Sequence, residues 1–258
     1  VTGFNRTASK AEAWAAATGG KAAATVAEAA QGVDLFILCV GNDDDVRAVV
    51  TEALPHLSEA AVIVDHTTTS AKVAREMAEL ANEQGKSLID APVSGGQAGA
   101  QNGALTVMCG GDAAAFEAAQ PVAMAFSRAF TLLGASGSGQ LAKMVNQICI
   151  AGLVQALSEA VAFGQNAGLD MKQVLDVIGK GAAQSWQMDN RGKTMVDGKF
   201  DFGFAVDWMR KDLGLVLDEA KRNGARVPVT ALVDQFYADV QQAGGQRWDT
   251  SSLITRLK

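Results

Sequence analysis

The sequence predicts an α/β domain built on a doubly wound parallel sheet, followed by an all-helical domain. Three observations predict it. Apolar runs of strand length alternate with helical patterns through the first half of the chain, and strand signals largely stop after Gly134. From Gly139 to Ala167 one long segment is apolar nearly all round (Ile148, Ile150, Leu153, Val154, Leu157, Val161, Phe163), the pattern of a helix buried between neighbours. The chain divides accordingly into 1–136 and 137–258.

In order, Val1–Thr7 reads as the tail of a strand, followed by an alanine-rich helix from Ser9 to Thr18 and a second short helix over Lys21–Ala30. Asp34–Val40 (D-L-F-I-L-C-V) is a continuous apolar run, expected to be a strand buried on both faces. A helix carrying Val46, Val49, Val50 and Leu54 ends before Pro55. A strand at Ala61–Asp65, a helix at Ser70–Gln84 and a strand at Ser87–Asp90 follow. Leu105–Cys109 and Phe130–Gly134 are two further strands, with a helix at Ala113–Phe126 between them. After the long segment come helices at Met171–Lys180, Trp208–Asn223 and Val229–Ala243, with a mixed aromatic stretch over Ser185–Phe204.

Composition narrows the function. A net charge of −6 with no block of Lys or Arg argues against nucleic acid or an anionic membrane surface as partner. No apolar run reads as long enough to cross a membrane, and the start has no signal-peptide layout. Cys39, Cys109 and Cys149 read as reduced core residues of a cytoplasmic protein, and neither histidine has metal-ligand spacing, so no metal site is expected.

The chemistry concentrates in two stretches. Gly134–Gln147 (G-A-S-G-S-G-Q-L-A-K-M-V-N-Q) is a glycine hinge running into a helix, with Lys143, Asn146 and Gln147 on one face by their spacing of three and four. A lysine between a glycine hinge and a buried helix is in a setting that tunes its pKa for proton transfer, although a solvated lysine would satisfy the pattern too. Asp90–Asn102, before it, is a glycine-rich loop of backbone N–H groups able to hold an anion. Small and polar residues also end three successive strands: Val40-Gly41-Asn42-Asp43, Asp65 to Ser70, and Asp90 to Gly96. Any one alone reads as a turn with a helix cap. Three on one sheet edge point to a nucleotide-binding crevice. Asn5-Arg6-Thr7 ends the first strand; an Arg with no acid there favours NADP over NAD, since an acid would pair with the ribose 2′-hydroxyl and an Arg with a 2′-phosphate. A solvated Arg6 is the other reading.

D-A-P-V-S-G-G, then G-x-G-Q-x-x-K-x-x-N-Q, then Lys211-Asp212-Leu213 in M-R-K-D-L-G-L, together resemble the β-hydroxyacid dehydrogenase family over essentially the whole chain. Its members include 3-hydroxyisobutyrate dehydrogenases, tartronate semialdehyde reductases and glyoxylate/succinic semialdehyde reductases. The resemblance implies a Rossmann-type domain, a long interdomain helix and an all-α C-terminal domain. It implies Lys143 as general acid/base, Ser94, Gly95 and Gly96 holding the substrate carboxylate, Asn146 and Gln147 flanking the substrate, and Lys211 near substrate and nicotinamide. Asn5, Arg6, Thr7, Val40, Gly41, Asn42, Thr68, Lys211 and Asp212 are the implied cofactor contacts.

Two features depart from the family pattern. Many relatives carry Asn four residues after the lysine, where this chain has Gln147, so either Asn146 or Gln147 is the amide that bonds the substrate. The family also opens with a strand and a G-x-G-x-x-G turn, and this sequence starts after them. The expectation is a piece of a longer protein whose absent strand would be central in the sheet, leaving apolar neighbours and ladder groups unpaired. The expected activity, that of the complete protein, is an NADP-preferring (NAD possible) interconversion of a small β-hydroxyacid and its semialdehyde. A homodimer or homotetramer is expected from the long apolar helix. The alternative is a non-catalytic ligand-binding member of the same fold. Side chains around Trp186, Phe204 and Trp208 are candidates to shape the pocket, with Trp186 and Trp208 read equally as core residues.

Overall fold

The structure, a computed structural model, describes residues 1–257. The chain forms two compact units, Val1–Lys143 and Met144–Lys258.

The first unit carries parallel strands with helices on both faces, α1 (Ala8–Thr18) among them; the stretch expected as a glycine-rich loop over Asp90–Asn102 contains a short helix, α5 (Gly96–Gln101). Strands β1 (Thr2–Gly3) and β2 (Lys21–Ala22) pair with each other; β3 (Leu35–Leu38), β4 (Val62–Asp65) and β5 (Ser87–Asp90) form a parallel three-stranded sheet. A third sheet joins β6 (Val93–Ser94), β7 (Leu105–Cys109) and β8 (Ser127–Leu132), with β6 antiparallel to β7 and β8 parallel to it. Successive residues of β4 point to opposite faces. Ile63 packs with helices α2 (Val26–Ala30), α3 (Asp43–Ala53) and α4 (Ala71–Glu83), while Val62 and Val64 pack on the other side with β7, β8 and α6 (Ala113–Ala123). Such a strand is buried on both faces, and its continuous apolar run follows from that.

Four expectations are corrected. Lys21–Ala30 is not one helix: Lys21 and Ala22 pair with β1, and the helix begins only after Thr25, whose hydroxyl accepts the Glu28 N–H at 3.1 Å. The first apolar run is not buried on both faces, because β3 pairs with β4 only and Ile37 is 42% exposed. Among the cysteines only Cys109 is buried; Cys39 and Cys149 are exposed, so the reading of all three as core residues fails. The strand placed at Phe130–Gly134 starts three residues earlier, at Ser127.

The second unit is helical. Helix α7 (Ser138–Asn166) enters it from the first. One stretch of its inner face (Ala151, Val154) packs against α10 (Val206–Asn223) and α11 (Pro228–Gln242). The next (Leu157, Val161) packs against α8 (Met171–Ile178) and α9 (Trp186–Asp197). The C-terminal 3₁₀ segment Thr250–Leu257 closes both clusters through Leu253 and Ile254. The expectation that α7 is buried on every side is wrong, since Val145, Leu153 and Phe163 are 61%, 45% and 75% exposed. The reading that no segment could cross a membrane also needs correcting: by length and composition α7 could, and half of its most apolar stretch is buried inside the fold.

Beneath the start of α7 lie two buried carboxylates, Asp65 and Asp90, in register on neighbouring strands. Burial raises Asp65 to about 7, with the charge of Asp90 adding to the shift. Burial also raises Asp90, to about 6, against the lowering effect of the backbone N–H groups it accepts. Those donors offset part of the rise at Asp90, whereas Asp65 Oδ2 has no hydrogen-bond partner among the described residues, so Asp65 is the one raised further. A carboxyl whose folded pKa lies above its unfolded value adds stability that is complete below about pH 4 and lost as pH rises through about 7. Asp65→Asn keeps the acceptor for the Thr67 N–H (2.9 Å) and removes the titration. Its thermal unfolding midpoint therefore falls less between pH 5 and pH 8 than that of the wild type; equal slopes would show that Asp65 does not carry the proton.

Candidate active site

At the C-terminal edge of the parallel sheet of the first unit, three loops are bonded into one body. The Val40 N–H after β3 donates to Thr67 Oγ1 after β4 at 2.9 Å. The Gln140 side chain accepts the Thr69 N–H at 3.0 Å and donates to the Thr67 carbonyl at 2.7 Å. Asp90, at the end of β5, accepts the Gly137 N–H at 2.7 Å and the Gln140 N–H at 2.9 Å. It thereby caps α7, placing negative charge where the helix leaves unbonded N–H groups. The glycines before α7 follow from this closeness. A Cβ on Gly139 would lie 2.4 Å from the Met108 carbonyl and 2.5 Å from that of Asp90, and Gly137 has φ +92°. Lys143, one turn further along the same helix, is only 7% exposed.

The remaining predicted residues of this unit sit on that edge or at the end of β1. Asn42 caps α3, its side chain accepting the Asp45 N–H at 2.9 Å, and the Gly41 N–H donates to Asp45 at 3.1 Å. The cap-and-turn reading therefore describes Asn42 in this structure. Thr68 is half-buried between the two residues that Gln140 holds. Ser94 ends β6 half-buried, and Gly95 and Gly96 follow, exposed, at φ +130° and +61°, where side chains with a Cβ are strained. Asn5, Arg6 and Thr7 are exposed, with Asn5 Oδ1 accepting the Thr7 N–H at 2.9 Å. Backbone N–H, hydroxyl and amide groups on a parallel sheet edge are the donor set that holds a dinucleotide's ribose and amide. The carboxylates Asp43, Asp44 and Asp45 on the first turn of α3 disfavour a phosphate on that helix.

In the second unit a chain of polar contacts runs from α7 to α10. Asn146 Nδ2 donates to Gln147 Oε1 at 2.8 Å, and Gln147 Nε2 donates to Asp212 Oδ2 at 2.7 Å. Lys211 Nζ lies 3.3 Å from Asp212 Oδ1 and 5.9 Å from the Trp208 ring centroid. Gln147 and Asp212 are 1% and 2% exposed, whereas Asn146 and Lys211 are half-buried. Of the two amides, Gln147 is engaged inward and Asn146 lies nearer the surface. Trp208 is 42% exposed and Trp186 54%, so neither is a core residue.

The description "NAD-binding of NADP-dependent 3-hydroxyisobutyrate dehydrogenase" fits residues 137–257, and "NAD binding domain of 6-phosphogluconate dehydrogenase" fits residues 1–134. An uncharacterized oxidoreductase of Shewanella frigidimarina is 59% identical over all of this chain and 90% of its own length. The 2-hydroxy-3-oxopropionate reductase of Escherichia coli is 36% identical over 76% of this chain and 67% of its own. A solved 3-hydroxyisobutyrate dehydrogenase of Mycobacterium tuberculosis, with L-serine, superposes at TM-score 0.90 with 30% identity, covering all of this chain and 90% of that one.

The chain belongs to the β-hydroxyacid dehydrogenase family.

As a member of that family it is an NAD(P)-dependent oxidoreductase of hydroxyacids. Three residues of the two networks had drawn no role from the sequence: Asp65, Asp90 and Gln140. Asp90 and Gln140 stood inside the family motifs, and an acid ending an apolar strand beside a second such acid is the signal that could have marked the pair.

Asp212→Ala removes the carboxylate that accepts from the buried Gln147 amide and that lies 3.3 Å from Lys211 Nζ. The expected loss is about 1–3 kcal/mol of unfolding free energy, measured in urea. A change below about 0.5 kcal/mol, the size usual for surface substitutions, would show that the network contributes little to the fold.

Proposed function

We propose that the protein interconverts a small β-hydroxyacid and its semialdehyde, with NADP preferred over NAD and Lys143 as general acid/base. The observation that carries this reading is Lys143 itself. It is a nearly buried cation on a capped helix turn, on the same bonded frame as the loops after β3 and β4. A lysine so placed can exchange one proton with a substrate oxygen. The nicotinamide, when bound, supplies or takes the hydride. Ser94, Gly95 and Gly96 hold the substrate carboxylate through backbone N–H groups, and Asn146 orients the substrate, as the family resemblance implies. Lys211 adds a second positive charge for the acid. Arg6, exposed at the end of β1, is the group that would meet a 2′-phosphate.

The test is oxidation of NADPH by the full-length protein against glyoxylate and succinic, tartronate and methylmalonate semialdehydes, with NADH in parallel. Turnover of at least one, faster with NADPH, is expected. Lys143→Ala should lower it by ~10²–10⁴, the range of general acid/base catalysis. Near-wild-type turnover in that variant ends the mechanism, and NADPH binding without turnover of any acceptor favours a binding protein.

Self-association belongs to the same reading. On the outer face of α7, Val145, Leu153 and Phe163 are exposed along a rise of about 27 Å, and no charged side chain occurs between Lys143 and Glu159. At Gly152, midway, an added Cβ would meet nothing within 4 Å, so nothing within the chain requires a glycine there. A stripe of this kind is complementary to its own copy about a two-fold axis, the usual geometry of homodimers. Phe163→Glu is expected to shift the protein toward monomer in sedimentation equilibrium. An unchanged mass would exclude this face.

A further inference from the structure

We propose that Gln140 is a positioning residue that locks the loop bearing Thr68 to the helix turn bearing Lys143. The inference rests on the reading just given, in which Thr68 faces the cofactor and Lys143 moves the proton. Gln140 is fully buried, so it is not itself a ligand contact. Both ends of its amide are engaged by main chain on either side of Thr68: Oε1 accepts the Thr69 N–H at 3.0 Å, and Nε2 donates to the Thr67 carbonyl at 2.7 Å. Its own N–H donates to Asp90 Oδ2 at 2.9 Å, and Gly137 holds the other oxygen of that carboxylate at 2.7 Å. Thr67 Oγ1 in turn receives the Val40 N–H. Segments some seventy residues apart in sequence are thus joined through one side chain.

The chemistry requires glutamine. A donor and an acceptor must sit at one planar group to pair with a carbonyl and an N–H two residues apart. Asparagine is one methylene shorter. Glutamate keeps the acceptor for Thr69, but when ionised it turns an oxygen toward the Thr67 carbonyl. Leucine fills the space and leaves both backbone groups buried without a partner. Lys143 lies three residues beyond Gln140, on the same side of the helix. A ligand that orders Thr67–Thr69 therefore also fixes the turn from which Lys143 projects. Cofactor binding and proton-transfer geometry become parts of one arrangement.

The test compares Gln140→Leu, Gln140→Glu and Lys143→Ala in the full-length protein by three readouts besides thermal stability. These are amide hydrogen exchange at Thr69 without ligand, NADPH affinity by fluorescence titration, and kcat with KM. In Gln140→Leu, exchange at Thr69 is expected to rise and the NADPH Kd to weaken, each by about tenfold, the effect of one lost hydrogen bond. kcat should fall by up to about 10², the usual result of a misplaced acid/base. Gln140→Glu should keep most of the Thr69 protection and recover part of the affinity, which a general loss of packing would not produce. If the leucine variant fails to fold, the glutamate variant decides by the same readouts. Variants that lower thermal stability but leave exchange, Kd and kcat within twofold of wild type overturn the proposal. Lys143→Ala separates the two claims: retained turnover there defeats the proposed reaction, while Thr69 exchange and NADPH affinity still report on Gln140.

Discussion

The structure of the first unit depends on where the Asp90 carboxylate goes. A buried acid at the end of a parallel strand is costly unless donors meet it, and here the donors are the backbone N–H groups at the start of α7. That arrangement satisfies orphan groups at the helix end and brings its axis onto the sheet edge in one step. It also dictates sequence on both sides. Gly139 must lack a side chain to lie against the carbonyls of Met108 and Asp90, and a Cβ on Gly110 would meet Asp90 Oδ1 at 2.7 Å. Gly139 of G-x-G-Q is therefore tied to Asp90 of D-A-P-V-S-G-G, two motifs that look independent along the chain, whereas Gly137 answers to its φ of +92° and to the Ala71 carbonyl and Arg75 beside it. Asp65, in register beside Asp90, is pushed up by its own burial, with the neighbouring charge adding to the shift.

Much of the fold was legible because burial on two faces leaves a strong imprint. Ile63 faces one cluster and Val62 and Val64 the other, so β4 reads as an unbroken apolar run. The reading failed where that imprint is weak. Lys21 and Ala22 are exposed and have only two partners, and the alanines that follow favour helix by propensity, so only the pairing with β1 makes them a strand. In α7 the composition is apolar on every side, and which residues face inward depends on where α8 to α11 lie. Phe163 and Val161 are alike in hydrophobicity, yet one is 75% exposed and the other buried.

The candidate site could be read from the sequence as residue types and spacing, but not as connections. Spacing put Lys143, Asn146 and Gln147 on one helix face, but it could not say that Gln147 reaches Asp212, sixty-five residues on. Nor could it say that Gln140 turns away from solvent to hold a loop in the seventies of sequence separation. Hydrogen-bond partners of buried amides are set by tertiary packing, and a sequence carries only the need for a partner, not its address.

Gln147 illustrates what that packing decides. The family resemblance implies asparagine at this place, and the change looks like a small loss of pattern. Glutamine adds one methylene, about 1.5 Å of reach by the length of a C–C bond, and with it the amide bonds Asp212 at 2.7 Å while its oxygen accepts from Asn146. An asparagine here would fall short of Asp212 by about that amount. Its buried carboxylate, 2% exposed, would then keep the Lys211 contact but lose the amide. Gln147 thus spans from Asn146, half-buried beside it, to the acid at 212 that the family motif also carries.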